Sequence, residues 1–213
     1  MFKRSFLGTS RAALKCTIEN INDITFIYKK KSGALEAFCD KPILIRNPAL
    51  GYKISYYLDK FLTSDNSTSY EGHHYFEDDS LIKGRARKKI RRNREDAYRG
   101  SRMHFIRSAY NNTLGKEGFR VFNSVSELLN SDILVVGLDS RKGLKINDKL
   151  QVHYQNQNVF QKSYLTRNKD LTLINDNGFY DPSGITWTGY MARERVGDLL
   201  PFEYQLNTRN ANP

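Results

Sequence analysis

The sequence predicts an α+β fold, mostly antiparallel strands packed around one central helix at about 93–114, with short extra helical turns. Three observations carry that expectation. The stretch "LGYKISYYLDKFL" alternates strictly, with Tyr52, Ile54, Tyr56 and Leu58 on one side and Lys53, Ser55, Tyr57 and Asp59 on the other. That is the pattern of a strand with one buried and one wet face. The C-terminal half breaks into short apolar runs separated by "NQN", "RNKD", "NDNG" and "DPSG", each with turn chemistry. A helical period stands out after Asn93, where Tyr98, Phe105 and Ala109 share a face with Ile106 at its margin. The 13 Tyr and 12 Phe suit half-buried strands and argue against a disordered chain.

In chain order, "DITFIYKKKSGALEAF" reads as two strands joined at Lys31, Ser32 and Gly33, where Gly supplies the backbone freedom of a tight hairpin. "PILIRN" is a further short strand, and "YEGHHYF" returns after the polar turn "TSDNSTS". The helix is expected to start at Asn93 as N-cap, with Glu95 and Asp96 in its first turn, and to end at Gly115. Gly100 lies inside it, at roughly 1 kcal/mol relative to Ala. "GFRVFN" reads as a strand and "SVSELLN" as one or two helical turns capped by Ser124, with Glu127 three residues on. "DILVVGL", "KLQVHYQ", "KSYLT", "LTLI" and "ITWTGYM" read as strands. No repeat or low-complexity linker divides the chain, so one domain over 1–213 is expected.

The formal charge of +11 is concentrated in one place. From Lys83 to Arg107, Lys and Arg outnumber acids heavily, only Glu95 and Asp96 opposing them, and the remainder of the chain is close to neutral. A helix drawn through the whole run leaves only a thin strip holding Ile90 and Ala97, so Lys83 to Arg94 is expected as a solvated lead-in to the helix. Its cations Arg85, Arg87, Lys88, Lys89, Arg91 and Arg92 are the candidate partner-binding residues. Nucleic acid is the alternative ligand of this basic segment, 83–94. It is disfavoured because no aromatic interleaves the cations and no known nucleic-acid-binding pattern accompanies them.

Other chemistry is weakly signalled. His73 and His74 are adjacent, so on a strand they face opposite ways and cannot share an ion, and no zinc-ligand spacing is present. No cofactor is expected. Asp176, Asp181, Glu194 and Asp198 lie near Tyr180 and Trp187, an arrangement a carboxylate-dependent glycan hydrolase would use, but turn formation explains the carboxylates of "NDNG" and "DPSG". No nucleophile elbow, phosphate loop or dinucleotide fingerprint occurs. Cys16 and Cys39 flank a hairpin and read as buried free thiols, a single bridge being the alternative. No apolar run approaches the roughly 20 residues of a membrane-spanning helix. "MFKRSFLGTS" does not read as a signal peptide.

Four stretches in order, "FLGTSRAALKCTIEN", "LGYKISYYLDKF", "NREDAYRGSRMHFIRSAYNNTLGKEGF" and "GYMARERVGDLLPFEY", resemble the region that follows the N-terminal β-sandwich in bacterial carboxypeptidase-like regulatory domain proteins. The resemblance covers nearly the whole chain. It implies a fragment of a longer exported protein located in the periplasm or cell envelope, and it brings no peptidase residues with it. Met1 departs from the pattern of an exported protein. The expected function is therefore a non-catalytic module that binds or assembles with an envelope protein or a glycan, with Trp187 and Tyr190 as candidate glycan-stacking rings.

Overall fold

Strand pairing is antiparallel throughout the described residues and forms three sheets. The computed structural model describes residues 1–65, 67–79, 84–137, 141–147, 149–157 and 159–206. Asn66, Lys83 and Asn158, which the sequence places in turns or in the basic run, lie outside the described residues, as does the side chain of Arg85. The chain divides into two units, Met1–Asp96 with Glu194–Pro201, and Ala97–Arg193 with Phe202–Pro213.

The first unit contains helix α1 (Phe2–Leu7), strands β1 (Thr17–Ile18), β2 (Thr25–Lys29), β3 (Ala34–Phe38), β4 (Ile43–Asn47), β5 (Tyr52–Thr63) and β6 (Thr68–Asp78), and most of helix α2 (Arg85–Tyr98). Its sheet runs β1-β4-β5-β3-β2, with β6 along the other edge of β5. The β2–β3 hairpin turns at Gly33 with φ 64°, as the sequence predicts. Tyr52, Ile54, Tyr56 and Leu58 are buried, and then the register against β6 slips by one residue at Asp59. That bulge returns Phe61 and Thr63 to the buried side and lets a 12-residue strand keep one apolar face. α1, which the sequence reading did not anticipate, lays Phe2 and Phe6 on this face, with ring centroids 4.8 Å from Phe61 and 5.0 Å from Tyr56 respectively. The returning segment Glu194–Pro201 is fastened to the same unit, where Asn47 Nδ2 donates to the Gly197 carbonyl at 2.9 Å.

The second unit contains α3 (Arg102–Tyr110), β7 (Phe119–Phe122), β8 (Glu127–Leu128), α4 (Asn130–Ile133), β9 (Leu134–Val136), β10 (Lys142–Leu144), β11 (Leu150–Asn156), β12 (Val159–Arg167), β13 (Thr172–Ile174) and β14 (Ile185–Gly189). The sheets run β14-β12-β11-β7-β8 and β13-β10-β9. Phe105, Ile106 and Ala109 of α3 form its core with Phe119, Val121, Val152, Leu165 and Trp187.

A single helix over 93–114 does not form. Gly100 adopts φ 75° and ends the first helical segment, and Ser101 starts α3 by accepting the His104 N–H on its side chain at 3.0 Å. Asn93, expected as the N-cap, is inside α2, and α3 stops at Tyr110, well before Gly115. Nor does Ser124 cap a helix. Asn123 Oδ1 accepts from the N–H groups of Val125 and Ser126, and Glu127 enters a strand to pair with Arg120. The helical turn comes later, at α4, where the Asp132 carboxylate accepts the Leu129 N–H at 2.6 Å. No helix among the described residues is long and apolar enough to cross a membrane.

Candidate partner-binding helix

The basic run is helical rather than a solvated lead-in: α2 begins at Arg85. The thin strip judged too narrow to bury is what holds it, because the docking contacts are polar. Ile90 is buried, Asn93 Nδ2 donates to the Ala49 carbonyl at 2.8 Å, and Arg94 Nε donates to the Leu50 carbonyl at 2.6 Å. Arg94 Nη2 also reaches the Gly51 carbonyl at 3.2 Å and Asp78 Oδ1 at 2.7 Å. Its guanidinium lies 3.8 Å from the centre of the Tyr52 ring, an attraction of about 1 kcal/mol in a partly buried setting. Beside this anchor the Asp79 carboxylate, fully buried, accepts from Arg46 Nε at 2.8 Å, which raises the guanidinium pKa further above its ordinary value.

Lys88, Lys89, Arg91 and Arg92 are exposed on the arc of α2 away from Ile90, and Arg87, also exposed, lies one turn from Ile90 on its side of the helix. Among the described residues Lys88, Lys89, Arg91 and Arg92 hold no carboxylate. Other cations of the run serve the fold. Arg107 is buried and donates to the carbonyls of Asn177, Phe202 and Tyr204 at 2.7 to 3.0 Å. Burial therefore sorts one basic stretch into anchors and a cationic surface, a distinction its composition does not show.

The two proposed stacking rings are not both available. Trp187 is only 9% exposed and packs edge-on against Phe105 and Tyr180, so it cannot receive a sugar. Tyr190, 42% exposed, remains accessible. The rings that do face water were not singled out from sequence. On the outer face of the first unit's sheet, Tyr57 stacks on His73 with centroids 4.9 Å apart, and Tyr75 meets Tyr57 edge-on at 5.9 Å. The alternation of β5 already assigned Tyr57 to the wet side, and extending it to β6 would have added His73 and Tyr75. His74 points to the other side, stacked near Tyr56, and burial, then neighbouring His73, lower its pKa.

Two carboxylates of the hydrolase alternative, Asp181 and Asp198, have structural partners. Asp181 caps a short 3₁₀ turn by accepting the Ser183 N–H. Lys169 and then the Ser183 hydroxyl and N–H hold its pKa at about 2. Asp198 accepts the Ser10 hydroxyl and the Arg195 N–H. Cys16 and Cys39 are free thiols, and burial pushes Cys16 up to about 12. Among the described residues no group of His, Cys, Asp or Glu is arranged to hold a metal. A cleft of about 430 Å³ in the second unit is lined in part by Leu114, Phe119, Leu128, Lys116 and Asn130, together with the ion-paired Arg120 and Glu127. No protein family, curated protein or solved structure matches the chain.

Proposed function

We propose that this chain is a non-catalytic binding module of an exported, envelope-associated bacterial protein, and that it joins an acidic partner protein through Arg87, Lys88, Lys89, Arg91 and Arg92 of α2. The carrying observation is that four of these cations, Lys88, Lys89, Arg91 and Arg92, are exposed and hold no carboxylate among the described residues. The first turn of α2 holds no acid, so its cations oppose the helix dipole. Arg87 with Arg91, and Lys88 with Arg92, are like charges four residues apart, each pair unfavourable by about 0.2–0.5 kcal/mol, while Glu95 and Asp96 stand four residues beyond Arg91 and Arg92 and offset part of this. An exposed cationic arc on a helix already anchored from its other side points to recognition outside the fold. The polar anchor at Asn93 and Arg94 holds the helix in place before binding, which lowers the ordering cost of association.

An acidic protein fits better than nucleic acid because no aromatic ring accompanies the exposed arc to stack bases. The envelope setting rests on the resemblance of the four sequence stretches. The non-catalytic reading is supported by the structural bonds of Asp181 and Asp198.

The test is competition. The immobilised chain is offered an envelope extract, captured protein is identified by crosslinking to α2, and poly-glutamate or an oligonucleotide is added at about 50 and about 200 mM salt. Poly-glutamate should displace the partner and the oligonucleotide should not. Tighter binding of the oligonucleotide, falling steeply with salt, would transfer the site to nucleic acid. Crosslinks that avoid α2 would remove the proposal.

A further inference from the structure

The outer face of the second unit's five-stranded sheet carries a second, differently built surface. The pairing registers set its side chains in rows. Phe122, Gln151, Tyr164 and Thr188 lie across the strands in one row. Arg120, His153 and Lys162 form the next, and Gln155 with Phe160 the one after. Successive rows are roughly 7 Å apart, two residues along a strand. Val121, Val152 and Leu165 point the other way into the core, so strand alternation leaves this face to water.

The rings form a track. The centroid of His153 is 4.9 Å from Phe122 and 5.1 Å from Phe160, and Phe160 is 61% exposed. Cations sit on the same surface. The Arg120 guanidinium lies 5.2 Å from the Phe122 ring, and Lys149 and Lys162 place their Nζ atoms 4.6 and 5.5 Å from the Tyr164 ring. Glu127 is the counter-charge, held by Arg120 through both Nε and Nη2. His153 has its pKa lowered by burial first and then by Lys162 and Arg120, in keeping with an electropositive face. Amide and hydroxyl groups complete it, with Gln155, Thr186 and Thr188 exposed.

We infer that this face binds a carboxylate-bearing glycan, sugar rings lying along the Phe122–His153–Phe160 track and their carboxylates on Arg120 and Lys162. A cationic row between two ring-bearing rows matches a polymer that alternates apolar ring faces with spaced negative charge. The hydroxyl and amide flanks suit sugar hydroxyls. Arg120 already grips a carboxylate in forked geometry, which a ligand carboxylate can take over. The exposed cation–π contacts are weak enough to exchange. A single-stranded nucleic acid offers the same combination of flat rings and spaced anions, so an oligonucleotide is one arm of the test. The surface belongs to the second unit and does not depend on the reading of α2.

Calorimetric titration of the whole chain with oligogalacturonate, a neutral glucan oligomer of equal length, a phosphate-bearing mannan oligomer and oligo-dT tests the inference, with His153 followed by NMR. Oligogalacturonate should bind and raise the His153 pKa. Phe160→Ala and Lys162→Gln, both at exposed positions, should each weaken it roughly tenfold, while reversing the α2 cations should leave it unchanged. Equal or tighter binding of the neutral, phosphorylated or nucleotide probe would overturn the inference. So would binding lost in the α2 variant but retained in both sheet variants, or no binding of oligogalacturonate.

Discussion

Gly100 shows how one residue redirects the chain. Its φ of 75° is costly for a side chain, and a Cβ there would stand 2.3 Å from Gln161 Oε1 and 2.6 Å from Tyr154 Cδ1. Gly100→Ala should therefore destabilise the protein by about 3 kcal/mol, the sum of left-handed strain and overpacking, measured as a shift in urea midpoint. His104, four residues on, gives a pH signature. Gly100 N–H donates to its Nδ1 at 3.1 Å, which leaves the Nε2 proton to face Glu117 at 3.1 Å. A second proton would meet the Gly100 N–H in a site walled by Tyr98, Phe119 and Tyr154, and burial lowers the pKa despite Glu117. The unfolded chain then takes up a proton below about pH 6.5 that the folded chain refuses. Stability is full above that pH and falls as pH drops from 6.5 toward the folded value, by up to about 1.4 kcal/mol for each pH unit. His74 adds in the same direction. Unfolding measured at pH 7.5 and 5.0 should show this loss, and it should be smaller in His104→Gln.

Elements whose signal is apolar spacing were legible, and elements set by polar contacts were not. The β2–β3 hairpin and the first half of β5 follow directly from Gly33 and the alternation Tyr52 to Leu58. The α+β class with antiparallel strands followed from the same signals. The single central helix did not survive, because Gly100 and Ser101 outweigh the shared face of Tyr98 and Phe105. The apolar period places the start of the helix at Asn93, eight residues after α2 begins, since Asn93 and Arg94 dock on backbone carbonyls that no hydrophobic pattern encodes. Ser124 and Glu127 matched a capping pattern, but Asn123 and Arg120 engage that stretch first. If polar anchoring holds α2, Arg94→Met should cost about 2 kcal/mol by removing charge-assisted hydrogen bonds. Hydrogen exchange should quicken along α2 while the paired amides of β5 remain protected.

Across the molecule, the charge asymmetry was legible and its division of labour was not. The same run of Lys and Arg supplies Arg94 and Arg107 to the fold and Arg87, Lys88, Lys89, Arg91 and Arg92 to the surface. Trp187, the natural sequence choice for a sugar platform, went to the core because β14 turns that side inward, whereas the outward-facing rings of β7, β11 and β12 emerged only from strand pairing. The two surfaces lie in different units and are separable by mutation. The most direct measurement is the combined variant Lys88→Glu, Lys89→Glu, Arg91→Glu and Arg92→Glu, assayed together for poly-glutamate affinity and thermal midpoint. Cations that serve recognition alone predict affinity reduced roughly tenfold or more with a midpoint unchanged or raised, since acids suit the first turn of a helix. Unchanged affinity, or a midpoint that collapses with it, would contradict the account.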